Sequence, residues 1–200
     1  STAITNAIRA SGVAARGGGT AYLVYRTFFE FDTSGISATP ADATLKIYGF
    51  SNTSADFFVV KADTATDGAL GTADFDAIVG WNNSADNSSN VTKYSSEVTT
   101  WSTSGYNDIT LNSTALADMR DNGVVKFCLI ESTKDLTNTA PTSEITTGMY
   151  FQEQSGTSKD PILRYTEGGY AHTVMGVAGA SISTVKGVAL ANISEVMGVG

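Results

Sequence analysis

Four aromatic residues, Trp81, Tyr94, Trp101 and Tyr106, lie in or beside a long stretch dense in Gly, Asn, Asp and Ser. Aromatic faces held at the surface of such a segment stack on sugar rings; the alternative is burial against the edge of a core. Burial is the expectation, because an exposed Trp is uncommon without a ligand. In the same stretch Asp74 and Asp76 offer hard oxygen ligands at alternate positions, with Asp63 and Asp67 nearby. Carboxylates of this kind, with backbone carbonyls, hold Ca²⁺ in surface loops, and they serve equally in turn formation and solvation. No complete EF-hand loop is spelled out.

Catalysis has few residues to run on. The chain has one histidine, His172, and one cysteine, Cys128. Nucleophile-histidine arrangements would therefore run through a single residue, and two-histidine metal sites, multi-cysteine zinc sites and intrachain disulfides cannot be built. His172 reads as a solvated residue of a linker, and Cys128 as a small buried hydrophobe on an apolar strand. Glycoside hydrolysis would need two facing carboxylates in a cleft, and no pair is singled out. Arg16 with Gly17-Gly18-Gly19 lacks the Lys-Ser/Thr and helix start of a phosphate cradle, and reads as a hinge. The Asn-x-Ser/Thr triplets at Asn52, Asn82, Asn87, Asn90, Asn112 and Asn192 are expected by chance in a chain so rich in these residues. The chain is thus expected to be no enzyme and to need no cofactor, with Ca²⁺ the one candidate ion.

Charge narrows the partners. Twenty acidic against 12 basic residues give a formal net charge of −8, which offers no electrostatic footprint for nucleic acid. No apolar run of membrane-spanning length occurs, so no membrane insertion is expected. Low charge (16%), 20 Gly and abundant Ser and Thr suit short strands joined by polar turns.

The elements that would position these residues follow from alternation. RTFFEFD places Thr27, Phe29 and Phe31 on one face and Arg26, Phe28 and Glu30 on the other, and reads as a central strand. ATLKIYGF, ADFFVVKAD, YSSEVTTW, YNDITL, VVKFCLIE, MYFQE and PILRYTE continue the series. The polar stretch between ADFFVVKAD and YSSEVTTW is expected on the outside. NSTALADMRDNG reads as one short helix, with Asn and Ser at its start and Asn-Gly at its stop. This pattern predicts an all-β, antiparallel β-sandwich, jelly-roll-like, over residues 21–167. Residues 1–20 precede it as a disordered lead-in or as an arm that adds a strand to a neighbour, the arm being favoured by its apolar anchors Ile4, Ile8 and Val13.

Residues 168–200 are of another kind. VMGVAGASIST (174–184), VKGVALANISE (185–195) and VMGVG align at an eleven-residue period. Val174, Val185 and Val196 coincide, as do Val177, Val188 and Val199, and Ile182 coincides with Ile193. A glycine in every unit and β-branched neighbours disfavour helix, so short strands and turns are expected. The apolar row needs a cover, from other copies or another surface, and the pattern is expected to continue past Gly200.

The order RTFFEFDTSGI, ATLKIYGF, VTTW, YNDITLNSTALADMRDNG, VVKFCLIE and PILRY resembles the DNRLRE domain family of β-sandwich modules in extracellular and surface proteins. The wording of TADFDAIVGW and YSSEVTTWSTSGYNDITL, with the MGV-type repeats, is similar to versions in bacteriophage structural proteins such as head fibres and tail-associated proteins. Of the family's usual opening strand, Arg26 and Phe31-Asp32 stand here. The resemblance implies a jelly-roll-like sandwich with a binding or scaffolding role, sometimes on carbohydrate, and no catalytic motif. The expectation is a non-enzymatic protein of a virion surface or extracellular setting, homo-oligomeric through its repeats, meeting other virion proteins and host-surface glycan. The competing expectation is a carbohydrate-binding module of an adhesin or secreted enzyme.

Overall fold

The computed structural model describes residues 5–14, 19–65, 70–151, 156–168, 184–185 and 188–189. Nine strands and one helix build an all-β sandwich: β1 (Thr5–Ala14), β2 (Thr20–Tyr25), β3 (Thr27–Asp32), β4 (Asp42–Asn52), β5 (Phe57–Lys61), β6 (Tyr106–Thr110), α1 (Ser113–Asp121), β7 (Val124–Glu131), β8 (Ile145–Tyr150) and β9 (Ile162–Thr166). A larger antiparallel sheet runs β2-β1-β8-β4-β6, with β9 also pairing β4, and a smaller one runs β3-β7-β5. Beyond them β10 (Thr184–Val185) and β11 (Val188–Ala189) pair in a two-stranded sheet of their own.

The alternation places the main core. In β4, Ala43, Leu45 and Ile47 turn inward while Thr44, Lys46 and Tyr48 are half-exposed. They meet Phe29, Phe57, Val59, Phe127 and Leu129 of the smaller sheet, and Met149 of β8 and Ile109 of β6 complete the cluster. Burial on this scale stabilises at roughly 25 cal/mol per Å² of apolar surface.

The smaller sheet is covered on its other face too. Val60, Cys128 and Ile130 pack with Ile78, Val91 and Leu136, flanked by Phe28, Phe58 and Trp81. That explains the unbroken apolar run VVKFCLIE: a strand buried on both faces cannot alternate. The polar stretch expected outside therefore supplies a second core from its few apolar residues. Asn87, fully buried, organises it by accepting from the Asn82 N–H and donating to the Asn82 and Ala85 carbonyls.

Four other expectations need correction. The strand expected to be central, β3, is the edge of its sheet, and β7 is the centre. YSSEVTTW is not a strand but a crossing. Lys93 and Val98 bridge to Val60 and Phe57 of the smaller sheet, while Ser95 bridges to Leu111 beside the larger one. A segment shared between two sheets cannot join one ladder. MYFQE begins too late, since β8 ends at Tyr150. The N-terminal segment adds its strand within its own chain, where β1 lies between β2 and β8 with Ile8 and Ala10 fully buried.

The helix is where its signals put it. The Asn112 side chain caps α1 by accepting from the Thr114 and Ala115 N–H groups, and Ala115 and Met119 face the core. Gly123, at φ 65°, ends it.

Candidate functional site

Trp81 does not face solvent as a free platform. The Arg26 guanidinium carbon lies over the Trp81 ring, 4.0 Å from the centroid, and over the Phe75 ring as well, at 4.2 Å. Arg26 follows β2 directly and is carried into the interior, its side chain only 2% exposed. Its Nε and Nη2 donate to the two Asp135 carboxylate oxygens at 2.8 and 2.7 Å. Nη1 donates to the Phe75 carbonyl at 2.6 Å and to Asp76 Oδ1 at 3.0 Å. Burial opposes the Arg26 charge, but the Asp135 hydrogen bonds and field outweigh it and raise its pKa. Burial also pushes the Asp135 carboxyl up, against the pull of Arg26.

Asp135 belongs to a turn held by another buried carboxylate. Glu131, fully buried at the end of β7, accepts from the Thr133 N–H and hydroxyl on one oxygen, and from the Lys134 and Asp135 N–H groups on the other. These acids saturate donors of their own chain, which is the work of a loop clamp.

Asp74 and Asp76 serve different partners. Asp74 accepts from the Gly71 N–H at 2.8 Å and the Ala65 N–H at 3.1 Å, and these bonds hold its pKa below the ordinary carboxylate range. Asp76 is tied to Arg26. Asp67, named with them, lies outside the described residues, and Asp63 donates its backbone N–H to the Ala77 carbonyl. Among the described residues no group of three or more His, Cys, Asp or Glu side chains could hold a metal ion.

Tyr94 is buried, and its hydroxyl donates to Asp118 of α1. Asp118 also accepts from Lys61 Nζ at 2.9 Å and from the Asn122 amide at 3.0 Å. Burial drives the Tyr94 pKa up strongly, with the Asp118 hydrogen bond adding to it. Partial burial works to raise Asp118, and the hydrogen bonds from Tyr94, Lys61 and Asn122 bring it below its ordinary value. Trp101 is half-buried, edge-on to Phe57 at 5.4 Å, and donates Nε1–H to the Gly148 carbonyl at 3.1 Å.

Tyr106 stands apart from the other three, on the outer face of the larger sheet. Its hydroxyl donates to the Asp160 carbonyl at 2.9 Å. Its ring begins an edge-to-face row that passes to Tyr48 (5.3 Å), Tyr150 (5.7 Å) and Phe50 (5.5 Å), and Lys159 Nζ lies over Tyr48 and Tyr150. Phe50 is 51% exposed because a register shift between Gly49 and Ser51 leaves it out of the ladder. The four named aromatics thus form no common platform: Tyr94 and Trp101 pack on the main core, Trp81 on Arg26, and Tyr106 on the outer sheet face. The row around Tyr106 was missed because Tyr48 and Tyr150 lie on strands far apart in sequence.

A groove of about 620 Å³ runs between residues 96–100 and β6, walled by Glu97, Thr99, Asp108 and Thr110. Lys46 and Asp108 pair on the same sheet face. A second hollow of about 520 Å³ lies beside Lys61, Tyr94 and Lys126, whose cations already meet Asp118 and Glu30. Cys128 is buried, and burial pushes its thiol well above the ordinary range, so it is inert in the folded state.

Of the repeat positions, Val185 and Val188 are paired in the backbone register of β10 and β11, with Lys186-Gly187 between them in sequence. Val174, Val177, Ile182, Ile193, Val196 and Val199 lie outside the described residues, as does His172.

Fold and side chains together define an antiparallel two-sheet sandwich whose buried charges lock its loops. No protein-family model and no curated protein matches the chain.

Proposed function

We propose that this chain is a non-enzymatic structural protein of a virion surface, a head-fibre, decoration or tail-associated protein. It displays the sandwich and assembles or anchors through its C-terminal repeats. The observation that carries this reading is the junction after β9. A sandwich with its own two-sided core is followed by a repeat whose described part is a two-stranded pair, β10–β11, forming a sheet of its own. An isolated two-stranded hairpin is marginal in water, so units of this kind need copies of themselves or another surface to cover them. The same Val-x-Gly-Val tetrad stands at 174–177, 185–188 and 196–199, which gives every unit the same requirement. The resemblance of the strand order to DNRLRE-type modules of phage structural proteins supports the same setting, with other virion proteins as partners.

Light scattering on the full chain and on a chain ending at Glu167 tests it. The full chain is expected to be oligomeric and the shortened one to fall in mass per particle. Equal monomeric masses would overturn the reading.

One observation favours a second reading, a carbohydrate-binding module: the partly exposed row Tyr106–Tyr48–Tyr150–Phe50 on the outer sheet face. Saccharide binding abolished by Phe50→Ala, on a glycan array, would shift the assignment to it.

A further inference from the structure

Among the described strands five lie at a sheet edge, β2, β3, β5, β6 and β9, and four of them are guarded; β9, paired with β4 alone, carries the exposed charge of Arg164. β5 is covered by bridges from Lys93, Val98 and Ile78. β6 is flanked by the crossing segment, anchored at the Ser95–Leu111 bridge and again where the Asn107 side chain binds the Ser102 N–H and carbonyl. β3 carries Glu30 and Asp32, charges of the kind that keep an edge from pairing with another molecule. β2 has none of these protections. It ends the larger sheet, and among the described residues its only strand partner is β1.

Its sequence, Thr20-Ala-Tyr-Leu-Val-Tyr25, contains no charge, no proline and no glycine, and Tyr22 and Tyr25 are 53% and 43% exposed. A six-residue uncharged segment rich in β-branched and aromatic residues, at an open edge, is a template for one more strand. The N–H and C=O groups on the side of β2 away from β1, which no strand takes up among the described residues, specify the occupant's conformation, and the side chains specify its chemistry.

We propose that the β2 edge pairs antiparallel with the β2 edge of a second copy of this chain, fusing two larger sheets into one across a two-fold axis. Three observations select a second copy. A two-fold normal to the sheet through Leu23 sets Leu23 on its own counterpart, Tyr22 opposite Val24 of the second copy, and Ala21 opposite Tyr25. These are apolar and aromatic–aliphatic pairs with no like charges in register. The hairpin that could have come from the same chain, β10–β11, makes its own sheet and is not joined to β2. The chain carries −8 overall, so copies approach best where acidic side chains are absent from the strand, and β2 carries none, with Arg9 lying over its Tyr25.

The interface is separate from the repeat-mediated contact proposed above and does not depend on the virion reading. Six-residue edge pairing is small beside the roughly 800 Å² per partner of a stable complex, so the contact is concentration-dependent. It strengthens where the repeats already hold copies together, because pairing then occurs at a high effective concentration. Salt strengthens it as well, by screening the mutual repulsion of two acidic molecules.

The test uses the full chain. Leu23→Cys is oxidised and run without reductant; buried Cys128 does not compete, and Phe50→Cys, on another part of the sheet, is the control. Leu23→Cys is expected to link two chains covalently and Phe50→Cys to stay unlinked. In sedimentation at rising concentration, Leu23→Lys is expected to weaken the step tenfold or more while the melting temperature holds. No link at residue 23, with sedimentation unchanged by Leu23→Lys, would overturn the proposal. So would a Leu23→Lys chain that melts lower without any change in mass, because a segment of the same chain would then cover β2. Failure of the repeat reading is distinct: it appears only on shortening the chain to Glu167.

Discussion

Arg26 and Asp135, 109 residues apart in sequence, are joined by two parallel N–H···O bonds in the interior. Through this pair the β2–β3 corner, the turn after β7 and the Phe75–Trp81 segment become one unit. Breaking one member leaves a buried charge without its partner, at a cost of about 3–5 kcal/mol. Arg26→Ala is therefore expected to lower the unfolding free energy by about that amount. Arg26→Lys should recover only part, because an ammonium cannot reproduce the fork or stack on the two rings. The double change Arg26→Met with Asp135→Leu should cost less than either single change. Denaturant unfolding of the variants checks all three, and a double variant that costs more than either single would contradict the clamp.

Gly49 lies directly beneath the Trp101–Ser102 segment. A Cβ there would stand 1.8 Å from the Ser102 carbonyl oxygen and 2.8 Å from Trp101 Nε1. Neither is the loose end of a flexible side chain, so Gly49→Ala must displace the segment or bend β4. Overpacking of this kind costs about 1–3 kcal/mol. Gly35→Ala, where no atom lies within 4 Å, is the control and should leave stability nearly unchanged. Thermal melting of the two variants compares them.

Calcium offers a direct check on Asp74 and Asp76. Both Asp74 oxygens already accept backbone N–H groups, and Asp76 is paired with Arg26. A bound ion would have to replace those partners. Millimolar Ca²⁺ is therefore expected to leave the melting temperature where chelator leaves it. A true site would raise it, since ligand in hundredfold excess over its Kd adds about 2.7 kcal/mol.

What the sequence made legible was local. The alternation of β3 and β4, the apolar run of β7 and the Asn112 cap of α1 are each decided by residues within a few positions of one another. Strand order was not legible, since it rests on pairings such as Asp42 with Thr166 and Ala10 with Ile145. The crossing at Lys93–Val98 looked like a strand because its composition suits one, and only its bridges to two different sheets say otherwise. Alternation puts Arg26 on one face of a strand but does not show that it is buried, because the partners that enclose it, Phe75, Trp81 and Asp135, are long-range. The alternate spacing of Asp74 and Asp76 suits a metal pair, but spacing does not reveal which donors a carboxylate has already met.

The response to acid should follow from Asp118 and Asp74. Both have folded pKa values below those of free aspartate: Asp118 through Tyr94, Lys61 and Asn122, Asp74 through the Gly71 and Ala65 N–H groups. A carboxylate depressed in the folded state binds protons more weakly there than in the unfolded chain. Its stabilisation is complete above the unfolded pKa, about 3.9, and is lost as pH falls through the folded value. The contribution of these two carboxylates is thus expected to be constant from neutrality to about pH 5 and to decline below about pH 4. Asp118→Asn removes one of the depressed groups, so the variant should be less stable at pH 7 and converge on the parent in acid. Tyr94 acts with the opposite sign at the other end. Its raised pKa keeps the hydroxyl protonated in the folded state after the unfolded chain has begun to ionise, near pH 10, so stability should fall above that point. Melting temperatures of the parent and Asp118→Asn across pH 3–11 test both limbs. If the gap between them stayed constant down to pH 3, Asp118 would be contributing shape alone, and the hydrogen-bonded charge beneath α1 would not be what fixes the helix to β5.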